Sequence, residues 1–135
     1  MKIQEFNIGD TACFTRKITI EYVERFVEIS GDDNPVHIDE DYAKSTVFKG
    51  RIVHGMLVAS LISGLLGNKF PGYGTIYLEQ NLKFLKPVRI DDLITAEVEV
   101  VNINHNKNRL TLKTRCYNQN KIDVIVGEAV VIPPR

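Results

Sequence analysis

Between Ile52 and Asn68 the chain reads IVHGMLVASLISGLLGN, apolar on nearly every side and without one Asp, Glu, Lys or Arg. A helix of that composition is buried on most of its faces rather than laid on a surface. It is too short to cross a bilayer and carries His54, Ser60 and Ser63, so other parts of the chain must cover it. Gly55, Ala59, Ser60, Ser63, Gly64 and Gly67 are small, which lets a backbone or a ligand come close along one side. Gly67 and Asn68 end the run.

The cover follows in the sequence. After Pro71-Gly72-Tyr73-Gly74 the hydrophobic period changes from that of a helix to that of a strand. Ile76, Leu78, Leu82 and Phe84 alternate with polar residues, as do Ile94, Ala96, Val98 and Val100, then Leu110, Leu112 and Cys116. Residues 122 to 132 form a last, more apolar strand. The joins carry turn residues: Pro87 with Asp91-Asp92, Asn104 to Asn108, and Asn118 to Lys121. Short joins predict an antiparallel sheet of sequential neighbours. With one further strand over 11–18, the expected fold is α+β, about five strands wrapped around the apolar helix. Such a sheet has open edges and one helix to cover it, so a homodimer is expected.

The chain has 135 residues, enough for one domain with a single core, and neither a linker nor a repeat divides it. Seventeen basic residues balance seventeen acidic ones, which argues against nucleic acid as a partner. Cys13 and Cys116 stand apart, with no CxxC pair or Cys/His spacing suited to zinc. They read as small buried hydrophobes in a reducing compartment. The N-terminal residues lack a signal-peptide stretch, so a soluble, cytoplasmic protein without membrane association is expected.

The chemistry begins where the first helix ends. Thr19 is a good N-cap for a helix to Ser30, with Val23, Phe26 and Val27 on one face and Gly31 as terminator. Asp32-Asp33-Asn34-Pro35-Val36-His37 follows, and the proline forces Asn34 into an extended conformation. Asp39 caps a short helical turn over Tyr42-Ala43-Lys44. A carboxylate and an imidazole five positions apart on a stiffened loop can converge on one water molecule, with His near neutrality and Asp as proton acceptor or orienter. The same residues also fit an Asx turn beside a surface histidine. A second group lies at Ile52-Val53-His54-Gly55-Met56-Leu57. There a buried helix offers unpaired N–H groups and its positive end, and Gly55 lets a carbonyl oxygen approach. Close packing alone would also explain that glycine. His54 reads as structural, bonded to a loop carbonyl. Ser63 has no GxSxG elbow around it and reads as a small residue in a channel. Gly72-Tyr73-Gly74 with Lys69 lacks the pattern of a phosphate loop.

Asp32-x-Asn34-Pro35-x-His37, followed at short distance by Ile52-Val53-His54-Gly55-Met56-Leu57, resembles the hydratase signature of the MaoC-like, (R)-specific enoyl-CoA hydratases. Ala59-Ser60-Leu61, Gly64-Leu65-Leu66-Gly67, Thr95-Ala96-Glu97-Val98 and Gly127-Glu128-Ala129-Val130-Val131 extend the likeness to the small single-domain, short-chain members. The resemblance implies a hot-dog fold, a homodimer, no metal and no bound redox cofactor. It implies syn hydration of trans-2-enoyl-CoA to (R)-3-hydroxyacyl-CoA. By motif position, Asp32 and His37 would be the catalytic pair and the Gly55 N–H would polarise the thioester. Asn34 would support the pair, and Ser63, Leu66 and Val131 would shape the acyl end of the tunnel.

Two rivals stand beside this reading. Hot-dog thioesterases and the dehydratases of fatty-acid synthesis commonly carry an acidic residue on the central helix, and Ile52 to Asn68 has none. A non-catalytic acyl-CoA-binding protein would need no water-activating pair. For the CoA phosphates, Lys49, Arg51, Lys83, Lys86 and Arg89 are all candidates.

Overall fold

A computed structural model describes every residue from Met1 to Arg135. Strand β1 (Thr11–Lys17) leads into α1 (Ile20–Ser30). The Thr19 hydroxyl accepts from the Tyr22 N–H at 3.4 Å, and Gly31 closes the helix in the left-handed region at φ 76°. Then come α2 (Pro35–Ile38), α3 (Glu40–Lys44), α4 (Gly55–Asn68), β2 (Ile76–Phe84), β3 (Leu93–Asn104), β4 (Arg109–Tyr117) and β5 (Asp123–Ile132). No helix is long and apolar enough to cross a membrane.

Two local expectations change. Asn34 is extended as its proline requires (φ −51°, ψ 126°), but Pro35 then takes the first position of a helix instead of continuing a loop. The ring's fixed φ suits that position, where no N–H is needed. His37 therefore stands on a helical turn. The central helix also starts at Gly55, not Ile52. Ile52 bridges to Arg89, and the Val53 N–H donates to the Val88 carbonyl at 2.8 Å. Those main-chain groups are committed to an extended partner, and His54 becomes the N-cap.

The sheet is antiparallel throughout, in the order β1-β3-β4-β5-β2. β3, β4 and β5 are sequential neighbours, as expected. β2 is not; it lies beyond β5, with Tyr77 opposite Val131. The reason lies in the join. Val88 and Arg89 pair with Val53 and Ile52, and Asp91 and Asp92 exchange backbone bonds with Ile18 at 2.7 and 2.9 Å. The chain is thus carried past the start of α4 to β1, on the opposite edge.

The curved sheet closes around α4, the hot-dog arrangement. Val58, Ala59, Ile62, Leu65 and Leu66 of the helix pack with alternate residues of the strands, among them Ala96, Val98, Leu110, Leu112, Ala129 and Val131. Each large aliphatic side chain so buried contributes about 1.5–3 kcal/mol. An interior glycine costs a helix only about 1 kcal/mol, so burial holds α4 helical despite Gly64 and Gly67. The outer edge of β2 stays uncovered, with Ile76, Leu78 and Phe84 exposed.

Candidate active site

The segment after Gly31 is shaped by side chains bonding to its own backbone. The Asn34 N–H donates to Asp32 Oδ1 at 3.2 Å, and the Val36 N–H donates to Asn34 Oδ1 at 3.2 Å. Asn34 thus holds the Asp32 carboxylate through its main chain while its side chain starts α2. One turn on, His37 is buried, with Nδ1 2.8 Å from the Ile52 carbonyl. A carbonyl only accepts, so Nδ1 carries a proton, and in the neutral ring Nε2 keeps its lone pair. The Ile52 N–H returns a bond to the Val36 carbonyl at 3.2 Å, and Arg51 Nε donates to the His37 carbonyl at 2.8 Å.

His54 enters from the other side. It is 2 % exposed, and its Nε2 lies 2.9 Å from the Asp32 carbonyl, which puts the proton on Nε2. Its Nδ1 is buried without a hydrogen-bond partner. The rings of His37 and His54 stack at 3.7 Å and 26°, and Phe26 meets His54 at 4.9 Å. Burial is the main cause that lowers the His54 pKa from its ordinary 6.5; the bond to the Asp32 carbonyl opposes it and the neighbouring His37 adds to it.

Side-chain donor atoms of Asp32, His37 and His54 lie within 4.8 Å of one another. The two imidazoles are too near parallel for their lone pairs to converge on one ion. A water molecule reaching about 2.8 Å to each side spans the gap between Asp32 and His37. Beside them is the start of α4. The Leu57 and Val58 N–H groups both donate to the His54 carbonyl, at 3.1 and 3.2 Å, while those of Gly55 and Met56 donate to no protein group. They are open donors at the positive end of a helix.

These groups line one cavity of about 540 Å³, with Phe84 and Lys86 in its wall. A Cβ on Gly55 would stand 2.6 Å from two ring carbons of Phe84, so only glycine lets that ring lie against the helix start. A second cavity of about 540 Å³ opens between α4 and β2, and Ser63 lines it. Phe26 and Met56 border both cavities. Leu66 and Val131, expected at the acyl end, are 1 % and 0 % exposed in the core and line neither, because both point into the layer between α4 and the sheet. Among the basic candidates, Arg51 and Arg89 donate to backbone carbonyls, whereas Lys86 faces the first cavity. Cys116 is no nucleophile: burial pushes its thiol up to about 12. Phe26 and Met56 escaped the sequence reading because an apolar residue at helical spacing reads as core whether it meets protein or ligand.

The MaoC-like domain family matches residues 6–121. The chain is 44 % identical to an (R)-specific enoyl-CoA hydratase of Aeromonas caviae over 134 residues, covering 99 % of this chain and 100 % of that one. It is 44 % identical to an (R)-specific enoyl-CoA hydratase of Rhodospirillum rubrum over 131 residues, 97 % of this chain and 90 % of the other. An unliganded R-hydratase of Pseudomonas aeruginosa superposes with a TM-score of 0.94 at 42 % identity, over 99 % of this chain and 86 % of that one.

Proposed function

The chain belongs to the MaoC-like domain family, and from that membership we propose that it is an (R)-specific enoyl-CoA hydratase, reversibly adding water in the syn sense to short-chain trans-2-enoyl-CoA. The observation that carries the reading is one cavity in which the Asp32 carboxylate and the His37 imidazole lie within 4.8 Å, beside the unpaired N–H of Gly55.

In the proposed reaction a water molecule sits between Asp32 and His37 Nε2. The pair takes one proton from it as the oxygen bonds to Cβ, and the electrons of the C=C bond move onto the thioester oxygen. The Gly55 N–H receives that charge. The proton then passes to Cα on the same face as the new hydroxyl, which gives the (R)-3-hydroxyacyl thioester and restores the pair. Between the two bond-forming steps the proton is held by the Asp32/His37 pair. Asn34 keeps the carboxylate in place. The second cavity, with Ser63 in its wall, takes the acyl end, and Lys86, in the wall of the first cavity, is the basic group proposed to meet the CoA arm.

We also propose a homodimer, supported by the exposed apolar edge of β2. A cytoplasmic location is supported by two free thiols.

Purified protein is expected to hydrate crotonyl-CoA, seen as loss of enoyl absorbance, with an (R)-product by chiral analysis. Asp32→Asn and His37→Ala should each lower kcat by about 10²–10⁴-fold with the fold intact. Release of free CoA instead would favour a thioesterase, and unchanged hydration by both variants would remove the pair from the mechanism.

A further inference from the structure

His37 and His54 join their two segments in opposite senses. His37 in α2 donates to the carbonyl of Ile52, and His54, the N-cap of α4, donates to the carbonyl of Asp32. Each segment supplies one imidazole and one carbonyl, and the two rings stack face to face where the bonds cross. We infer that His54 is a positioning residue for hydration: its Nε2–H fixes the backbone of Asp32 while its ring fixes the plane of His37. This inference rests on the hydratase reading.

Three observations argue for a role beyond filling space. The Asp32 side chain is exposed and is held by a single bond, from the Asn34 N–H. Its direction therefore depends on where its backbone sits, and the Ser30 hydroxyl and His54 are what hold that backbone. Second, Nδ1 of His54 is buried and unpaired, a cost to folding that a phenylalanine would avoid. Phenylalanine would keep the stack but lose the donor; glutamine would keep a donor in place of Nε2 but lose the ring. Histidine supplies both. Third, the ring is suited to staying neutral. A proton on Nδ1 would find no acceptor and would put a cation against His37, while Asp32 and Lys86 are the other charged groups in the cavity. A neutral His54 keeps the proton inventory of the site to Asp32, His37 and the bound water.

The test uses His54→Phe and His54→Gln with three readouts: thermal unfolding, kcat and KM for crotonyl-CoA, and long-range ¹H–¹⁵N spectra of the histidine rings. In the wild type at neutral pH, His37 should carry a proton on Nδ1 and His54 should appear as the neutral Nε2–H tautomer. His54→Phe should fold and lower kcat about 10–100-fold, with KM changed less than about twofold, as expected for a sub-ångström displacement of a catalytic group. His54→Gln should recover part of that loss, since the donor to Asp32 returns while the ring stacked on His37 does not. Wild-type kcat in a folded His54→Phe, or no recovery in His54→Gln, would overturn the inference. Should His54→Phe fail to fold, the ring spectra decide: a proton on Nδ1 of His54 sinks the proposal. A wild type with the expected tautomers but no hydration of crotonyl-CoA would instead count against the hydratase reading.

Discussion

Asp32, His37 and His54 differ in what holds them, and the pH behaviour of His54 follows. Asp32 is exposed and accepts one backbone N–H; His37 and His54 are buried and donate to carbonyls. Because burial lowers the His54 pKa in the folded protein, its contribution to stability has a definite sign. Well above pH 6.5 the ring is neutral in both folded and unfolded chains and the contribution is flat. As pH falls below 6.5, the unfolded chain takes up a proton that the folded chain refuses, so stability declines until the folded pKa is reached. The melting temperature should therefore fall between pH 7.5 and pH 5.5, and His54→Gln should make that decline shallower. An unchanged slope in the variant would show that groups other than His54 govern the acid limb. The sequence identified His54 as a histidine bonded to a loop carbonyl. It did not show the stacking on His37, because contact between residues 37 and 54 depends on how two turns meet.

At the scale of the element, α4 supplies the site with its first residues and the core with its length. Gly55 is the first helical residue and His54 before it is extended (φ −58°, ψ 130°). That is the conformation a proline requires of its predecessor, and the first turn of a helix tolerates proline. Gly55→Pro thus removes the proposed oxyanion donor without breaking the helix. Gly55→Ala adds the same Cβ, 2.6 Å from the Phe84 ring, but keeps the N–H. Both variants must move Phe84, which is half exposed and has room to turn. If the N–H stabilises the thioester oxygen, kcat of the proline variant should lie about 10²–10³-fold below that of the alanine variant. Equal rates would mean that the glycine serves only the approach of Phe84. The helix itself was readable from its apolar run. Its start was not, since Ile52 and Val53 are as apolar as the residues after them and become extended only because Val88 and Arg89 come alongside.

On the scale of the whole molecule, the sheet leaves β2 as an open edge with apolar side chains in water. Pairing that edge with a second copy would cover it, and light scattering at micromolar concentration should give twice the 15.3 kDa chain mass. A mass of one chain would remove the homodimer. The identity of the strands, the buried helix and the Asp32-x-Asn34-Pro35-x-His37 segment were all decided by the sequence alone, because hydrophobic period, capping and proline act within a few residues. Which strands pair was decided by the tertiary structure: the join at Val88–Asp92 bonds to Ile52, Val53 and Ile18 and so carries the chain from one edge of the sheet to the other. The same holds for the tunnel residues. Ser63 faces a cavity while Leu66, one turn along the same helix, is sealed under the sheet. Side-chain type cannot separate them, since a small or apolar residue is equally at home against protein and against ligand. Only the packing of α4 in its sheet turns one toward the open space and the other toward the core.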